Sequence, residues 1–445
     1  MNAWRLFMSL NRQQRSTFLA SFLGWTLDAF DYFLLTFVTI RVAHDFRVAV
    51  PAVALSLTLT LVMRPVGAFI FGILAERFGR RTPLMVDVVL FSVLELLTAF
   101  SPNYAVFLIL RILFGIAMGG EWGVGASLAM ESLPTESRGL FSGILQQGYA
   151  FGYLISAIVF ALVFTLLPAP LNSWRTLFII GVLPALLVLF IRVNVKESPV
   201  WERQQTLHRE KGISLWQGIG MAIKSRPILF IFLIVLMTAF NCLSHGTQDN
   251  YPAFLQGQLH IGVAGTTIIS AIANVGAIIG GTLFGYYSQN WGRRRAIIIA
   301  CIIGIIMIPL WCGLLKIPGI SLLITLPLGA FLLQFMVQGA WGVVPVHLNE
   351  LSPTDVRGTF PGFAYQLGNL FAAFIIYLQA SLAYGAFGSS KQPNFTLALA
   401  IFSLGAFLAV IIFTAFSQEA RGIEFEKVDE EELSLSRGPV QSSEV

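Results

Sequence analysis

The chain reads as an all-α membrane protein of twelve transmembrane helices, arranged as two pseudo-symmetric six-helix bundles with both termini cytoplasmic. Three observations predict this. Of its 445 side chains 56% are apolar and only 11% charged, whereas a water-soluble domain carries about 25% charge; the mean hydropathy is +0.77. The apolar residues also gather into twelve runs of the ~20 residues that a helix needs to cross a hydrocarbon core about 30 Å thick. Finally, landmarks of the first half recur in the second.

The spans are expected near residues 18–40, 52–75, 83–100, 104–130, 139–165, 173–193, 227–249, 264–288, 294–313, 319–348, 358–386 and 395–417. Span 1 follows Arg5, Arg12 and Arg15, contains Asp28 and Asp31, and lacks the small-residue cleavage site of a secretory signal, so it is expected to remain as a true span. Spans 1 to 6 form a first bundle (1–193), and the longest polar stretch, 194–226, is a cytoplasmic linker. Spans 7 to 12 form the second bundle (227–417). Residues 418–445, with Asp429, Glu430, Glu431 and Glu432, read as a solvated, disordered tail.

Charge acts as a compass. Twenty-eight Lys and Arg against 23 Asp and Glu leave +5 and a pI near 9.2, a balance that in a soluble protein would raise nucleic acid as a partner. Assigned to alternate loops, however, 21 of the 28 basic residues fall on one face, five on the other, and two, Arg64 and Arg111, within the membrane. The positive-inside rule makes the richer face cytoplasmic. The three cysteines, Cys242, Cys301 and Cys312, all lie within apolar segments, which argues against a disulfide framework or a spaced zinc site.

The internal repeat supports the bundle boundaries. Gly72-Ile-Leu-Ala-Glu76-Arg77-Phe-Gly79-Arg80-Arg81 after span 2 is echoed by Gly285-Tyr-Tyr-Ser-Gln-Asn-Trp-Gly292-Arg293-Arg294 after span 8, an offset of 213. Glu131-Ser-Leu-Pro134-Thr135-Glu136-Ser-Arg138-Gly139 after span 4 returns as Glu350-Leu-Ser-Pro353-Thr354-Asp355-Val-Arg357-Gly358 after span 10, an offset of 219. Parallel six-helix repeats with a site between them at mid-depth describe a carrier that rocks between inward-open and outward-open states. In the repeated loops, glycine permits a tight turn. The arginines can meet helix C-termini or acidic partners at a cytoplasmic gate, comprising Gly72, Glu76, Gly79, Arg80, Arg81, Arg138, Gly285, Gly292, Arg293 and Arg357.

A charge near the bilayer centre costs ~2.5 to 3.5 kcal/mol or more on insertion scales, so each one carries a functional hypothesis. The candidates are Asp28 and Asp31 in span 1, Arg64 in span 2, Asp87 and Glu95 in span 3, and Arg111 and Glu121 in span 4. Asp28 and Asp31 are three apart and so lie on similar helix faces. Two carboxylates that close rarely both stay ionised, which makes them proton-site candidates; one of them neutralising Arg64 or Arg111 is the plainer alternative. Glu121, in Gly119-Gly120-Glu121-Trp122-Gly123, is a further proton candidate or an ion-pair partner. In span 7, Asn241, Ser244, His245 and Gln248 form a polar stripe at helical spacing, with Thr247 and Asp249 beside it. Such a stripe faces a water-filled cavity, and Gly246 and Pro252 are expected to loosen the helix there.

These residues resemble a known family. Gly72 to Arg81, its echo at Gly285 to Arg295, and Arg111-x3-Gly115-x3-Gly119 look like signatures of the major facilitator superfamily. The span 7 cluster is similar to the pattern Asn-x2-(Ser/Thr)-His-x-(Ser/Thr)-Gln-Asp-x3-Thr of Jen-type lactate (monocarboxylate)/proton symporters, which belong with the sialate/proton symporters; only its last position differs, Ala253 replacing Thr. Asp28-Ala-Phe-Asp31, Arg64-Pro65 and Gln146-Gln147-Gly148-Tyr149 resemble the same group. The resemblance implies proton-driven uptake of lactate-like acids with the span 7 motif lining the path.

The expected function is therefore symport of a proton with a short monocarboxylate such as lactate or pyruvate. Arg111 is the preferred partner for the substrate carboxylate, with Arg64 as substitute. Asn241, Ser244, His245, Gln248, Gln147, Tyr149 and Gln366 supply polar contacts, and Asp28, Asp31, Glu121 and Asp249 are the proton-coupling candidates. A sialate or other sugar-acid symporter shares nearly all these residues, and a di- or tricarboxylate carrier would want more cavity cations. No nucleophile elbow, phosphate loop or metal spacing points to an enzyme. No cofactor beyond the proton gradient is expected; the partners are a small organic anion, a proton and the lipid bilayer, and not nucleic acid. A monomeric unit in a bacterial inner membrane completes the expectation.

Overall fold

The computed structural model describes residues 10–132, 138–171, 173–197, 202, 226–315, 318–351, 360–389 and 391–419. Among them are twelve helices long and apolar enough to cross a bilayer: α1 Arg12–Asp45, α2 Val50–Ala75, α3 Arg81–Ala99, α4 Tyr104–Ala126, α5 Gly143–Leu166, α6 Trp174–Asn194, α7 Pro227–Gln258, α8 Val263–Trp291, α9 Arg293–Trp311, α10 Leu322–Leu348, α11 Gly362–Tyr384 and α12 Phe395–Phe416. Most of the linker at 194–226 and of the tail at 418–445 lies outside the described residues.

The burial pattern is inverted relative to a soluble protein. Ile228 is 83% and Phe416 78% exposed, while Asp28 and Glu95 are 0% exposed. Apolar side chains can face lipid at no cost, whereas charges are tolerated only inside the bundle.

Two helices overrun the expected spans. α1 starts earlier because Asn11 and Gln14 form a reciprocal capping box, Gln14 N–H donating to Asn11 Oδ1 at 2.8 Å and Asn11 N–H to Gln14 Oε1 at 3.0 Å. At its other end Arg41 is held by Gln256 Oε1 at 2.7 Å and lies 4.3 Å from the Phe164 ring centroid, so the polar end stays helical. α7 does not stop near 249. It turns at Asp249 and Asn250, resumes at Tyr251–Ala253 and ends in a π-helical turn, Phe254–Gln258. The break falls where Pro252 removes a backbone donor. The Asn241–Asp249 motif therefore lies midway along the span, and Ala253 is buried.

Glycine sets the helix spacing in both halves. A Cβ on Gly119 would sit 2.7 Å from the Ala68 nitrogen and closer still to the Arg64 carbonyl oxygen, so α4 packs backbone to backbone on α2. Gly280 and Gly342 make the equivalent approach between α8 and α10, against Phe335 and Gly281. Such small-residue contacts replace hydrophobic burial as the source of cohesion in lipid. The two halves meet at both ends: Arg41 and Gln256 close one side, and Trp122 of α4 stacks on Tyr365 of α11 at 4.7 Å on the other.

Candidate functional site

Between the halves, near mid-depth, is a narrow cavity with room for about a single water. Gln146 and Tyr149 of α5 line it from one half, and Asn241, Ser244, His245, Gln338, Trp341 and Tyr365 from the other. The break in α7 orients its polar stripe. His245 Nδ1 lies 2.9 Å from Asp249 Oδ2, and its Nε2 lies 3.2 Å from Asn369 Oδ1. Tyr32 of α1 donates to the same Asp249 oxygen at 2.8 Å, which ties this unit across the interface. Asn369 in turn donates to Gln366 Oε1 at 3.0 Å, so Gln366 stands two hydrogen bonds behind the cavity wall, through Asn369 and His245. Asn241 Nδ2 donates to the Tyr365 carbonyl at 3.3 Å.

Buried charge is concentrated in the other half. Arg64 donates to Asp28 Oδ2 at 2.8 Å, with both side chains buried. Arg64 is also within electrostatic reach of Tyr32, Tyr149 and Tyr365, the last two being cavity residues. Asp87 and Glu121 share this field; each is fully buried, and neither carboxylate has a hydrogen-bond partner among the described residues. Asp31 turns away from Asp28 to a second group, where Arg111 pairs with Glu95. Arg111 is enclosed there, 4.1 Å from the Phe114 ring centroid and 5.2 Å from that of Phe178. It does not line the cavity. The arginine beside the cavity is Arg64, because Glu95 and two aromatic rings hold Arg111 inside its own half. Gln147 also points elsewhere, lying against Gly281 of α8, while Gln248 reaches Gln334 Oε1 at 2.8 Å, one turn beyond the cavity.

The face that carries the Gly-Arg-Arg turns has a matched pair of clamps. Gly79 and Gly292 adopt φ of +90° and +91°, which side chains with a Cβ disfavour. This exposes the first amides of α3 and α9 to a carboxylate. Arg80 and Arg81 N–H donate to Glu197 at 2.7 and 3.2 Å; Arg293 and Arg294 N–H donate to Glu419 at 2.9 and 3.0 Å. Each carboxylate also complements the positive end of a helix dipole. Arg81 spans to the Arg192 carbonyl at 2.5 Å. Arg293 forks onto Glu350 with two bonds of 3.1 Å. A Cβ on Gly285 would lie 3.2 Å from the Gly342 oxygen, and one on Gly72 would meet nothing within 4 Å. The side chains of Glu76 and Arg138, and all of Arg357, lie outside the described residues.

These geometries predict a contrast between two loop glycines. Gly79→Ala is expected to cost about 1–3 kcal/mol in backbone strain and to displace Glu197; Gly72→Ala should stay within about 0.5 kcal/mol. Apparent melting temperatures of the purified variants check this, and equal shifts would contradict the clamp.

The sequence profile described as Major Facilitator Superfamily matches residues 17–376. The chain belongs to the major facilitator superfamily. Its similarity to other superfamily members is broad. It is 30% identical over 390 residues to the carboxylic acid transporter protein homolog of Saccharomyces cerevisiae, an alignment covering 83% of this chain but only 62% of the yeast protein. It is 29% identical to a probable 4-methylmuconolactone transporter of Cupriavidus pinatubonensis, covering 99% and 98% of the two chains, and 28% identical to the sialic acid transporter NanX of Escherichia coli, covering 82% and 86%. Among solved structures, the inward-open xylose transporter XylE of E. coli superposes with a TM-score of 0.72 over 94% of this chain and 99% of that one, at 21% identity. The superfamily fold and the twelve spans make this chain a multi-pass integral membrane transporter, not an enzyme.

Several residues of this superfamily member escape a reading by sequence alone. Glu197 and Glu419 sit in polar segments just after α6 and α12; their shared distance from the helix ends, compared across the repeat, is the signal that would have found them. Asn369 lies three residues from Gln366 and four from Tyr365. Gln334 and Gln338, four apart in an apolar helix, meet the same periodic criterion as the α7 stripe.

Proposed function

We propose that this chain is a secondary carrier coupling one proton to one small organic anion, a short monocarboxylate such as lactate or pyruvate, by alternating access. The observation that carries the reading is the excess of buried acid in the half that holds Arg64. Within the membrane spans of the first half, five buried carboxyls, Asp28, Asp31, Asp87, Glu95 and Glu121, accompany two buried arginines, Arg64 and Arg111, among the described residues. Fully ionised, that half would hold three unbalanced negative charges in a membrane interior, which is prohibitively costly. Protons are the natural counter-charge.

The coupling follows from the Asp28–Arg64 pair. A proton on Asp28 releases the guanidinium, whose planar fork suits a substrate carboxylate. His245, Asn241 and Ser244 complete the anion's hydrogen bonds from the opposite half. Proton and anion together leave the loaded carrier with the same charge as the empty one, so the closed state carries no added charge through the membrane. Each ligand strengthens binding of the other, as linkage requires. The relatives named for carboxylic and sialic acids are in keeping with an organic-acid substrate. The positive-inside distribution supports cytoplasmic termini, a monomer in a bacterial inner membrane being the working unit.

Lactate-driven proton uptake into proteoliposomes tests the reading. The wild type is expected to acidify the lumen on addition of lactate, Asp28→Asn to lose that coupling, and Asp31→Asn and Glu121→Gln to weaken it. If all three variants couple normally, the proton assignment fails; if sialate competes and lactate does not, the short-acid assignment fails.

A further inference from the structure

A second cavity lies directly beyond the first, and three helices pass from one to the other in a single turn. On α5 the lining moves from Tyr149 to Tyr153, on α7 from Ser244 to Gln248, and on α10 from Gln338 to Gln334. Each step is four residues, a rise of about 6 Å. Because α10 runs antiparallel to the other two, its step of minus four points the same way as their plus four. The cavities are therefore two levels of one column along the interface between the halves.

Their chemistry differs. Among the described residues no acidic or basic side chain lines the upper level, which is walled by Tyr153, Gln248, Tyr251, Asn274, Trp311 and Gln334 together with smaller residues. Three side-chain atoms of its lining residues are buried without a hydrogen-bond partner among the described residues: the Ser270 hydroxyl and, on the larger side chains, Trp311 Nε1 and Gln248 Oε1. Neighbouring contacts hold both side chains: Trp311 stacks on Tyr251 at 5.0 Å, and Gln248 spends its amide on Gln334. What remains is one donor, one acceptor and the Ser270 hydroxyl, which can be either. A hydroxyl is the group that satisfies both the donor and the acceptor, accepting from the indole N–H and donating to the amide oxygen. A methyl group would leave both unpaired, and a second carboxylate would enter with charge but without a cation.

We propose that the upper level is a hydroxyl subsite, and that the preferred substrates are monocarboxylates of four or more carbons bearing a hydroxyl about one helical turn from the carboxylate. This rests on the reading of the chain as an organic-acid carrier and names the acid class it favours. Short acids occupy the lower level alone. Longer hydroxy acids gain the upper contacts, while alkyl acids of the same length are penalised because sites built to bond a hydroxyl reject analogues lacking it.

The test is calorimetric titration of the purified full-length protein in lipid nanodiscs with 4-hydroxybutyrate, butyrate and succinate. The wild type is expected to bind 4-hydroxybutyrate at least tenfold more tightly than either of the others. Trp311→Phe, which keeps the ring and removes the donor, should reduce that ratio to below threefold. Equal affinity for 4-hydroxybutyrate and butyrate, tighter succinate, an unaltered ratio in the variant, or no binding of any of the three overturns the subsite. The wild-type ratio decides the matter even where the variant does not fold. Selective 4-hydroxybutyrate binding without substrate-driven proton uptake would remove the symport reading and leave the subsite standing; coupled lactate transport with no hydroxyl preference would do the reverse.

Discussion

Arg64→Gln is expected to abolish transport and to lower stability at the same time, and the two losses should separate in a double variant. The single change leaves the Asp28 carboxylate buried without the partner it has at 2.8 Å. Removing one member of a buried ion pair costs about 3–5 kcal/mol, so the apparent melting temperature should fall markedly. It also removes the cation that meets the substrate carboxylate. Losing a buried charge-assisted contact costs about 2–5 kcal/mol, which at about 1.4 kcal/mol per decade is roughly 30-fold or more in affinity. Adding Asp28→Asn deletes the stranded charge, so the double variant should recover most of the stability and none of the transport. Wild-type lactate affinity in Arg64→Gln, measured by titration, would refute the role given to this arginine. Arg111→Gln provides the contrast: it strands Glu95 and destabilises, but its effect on substrate affinity should be small because Arg111 is enclosed away from the cavity.

The other large effect is expected from Gly119→Val. A Cβ alone would come within 2.9 Å of the Arg64 carbonyl carbon and nearer to its oxygen, and a branched side chain makes that worse. Two rigid helix backbones cannot give way as a side-chain tip can, so the cost should reach or exceed about 3 kcal/mol, the upper part of the range for overpacking. Because the contacted residue is Arg64, the variant should also disturb the Asp28 pair. Little folded protein is expected on size-exclusion chromatography, and any that folds should show impaired proton coupling. A monodisperse, fully active Gly119→Val carrier would mean that α2 and α4 are not held this closely.

Much of the architecture was legible because a bilayer imposes simple constraints. Twelve apolar runs of sufficient length, a polar linker and two repeated loop motifs were enough for the twelve-helix plan. The ends of α1 and α7 were less legible, since capping at Asn11 and a π-helical turn after Pro252 extend helices past the residues that hydropathy marks. The charges in the membrane stood out individually, as hydrocarbon makes every such residue an exception. Their pairings did not. Asp28 and Asp31 are close in sequence but face different arginines, and only the packing of α3 against α4 reveals that Glu95 occupies Arg111. Asn369 and Gln334 were hidden for another reason: a single amide in an apolar helix gives little signal until its neighbours in space are known.

The uneven distribution of charge between the halves has a consequence for how such carriers diversify. The first half concentrates acids and arginines around Arg64 and Arg111, while the second presents chiefly amides, hydroxyls, indoles and one His–Asp unit to the same column. On the proposed mechanism, the first half thus handles the proton and the substrate's carboxylate and the second most of the remaining contacts to the cargo, the two touching at Tyr32 with Asp249 and Trp122 with Tyr365 among other points. New acids become reachable by redrawing chiefly the second half, with the motor and its carboxylate-binding arginine left intact. Descent from a duplicated ancestor would then have furnished an engine and an exchangeable grip.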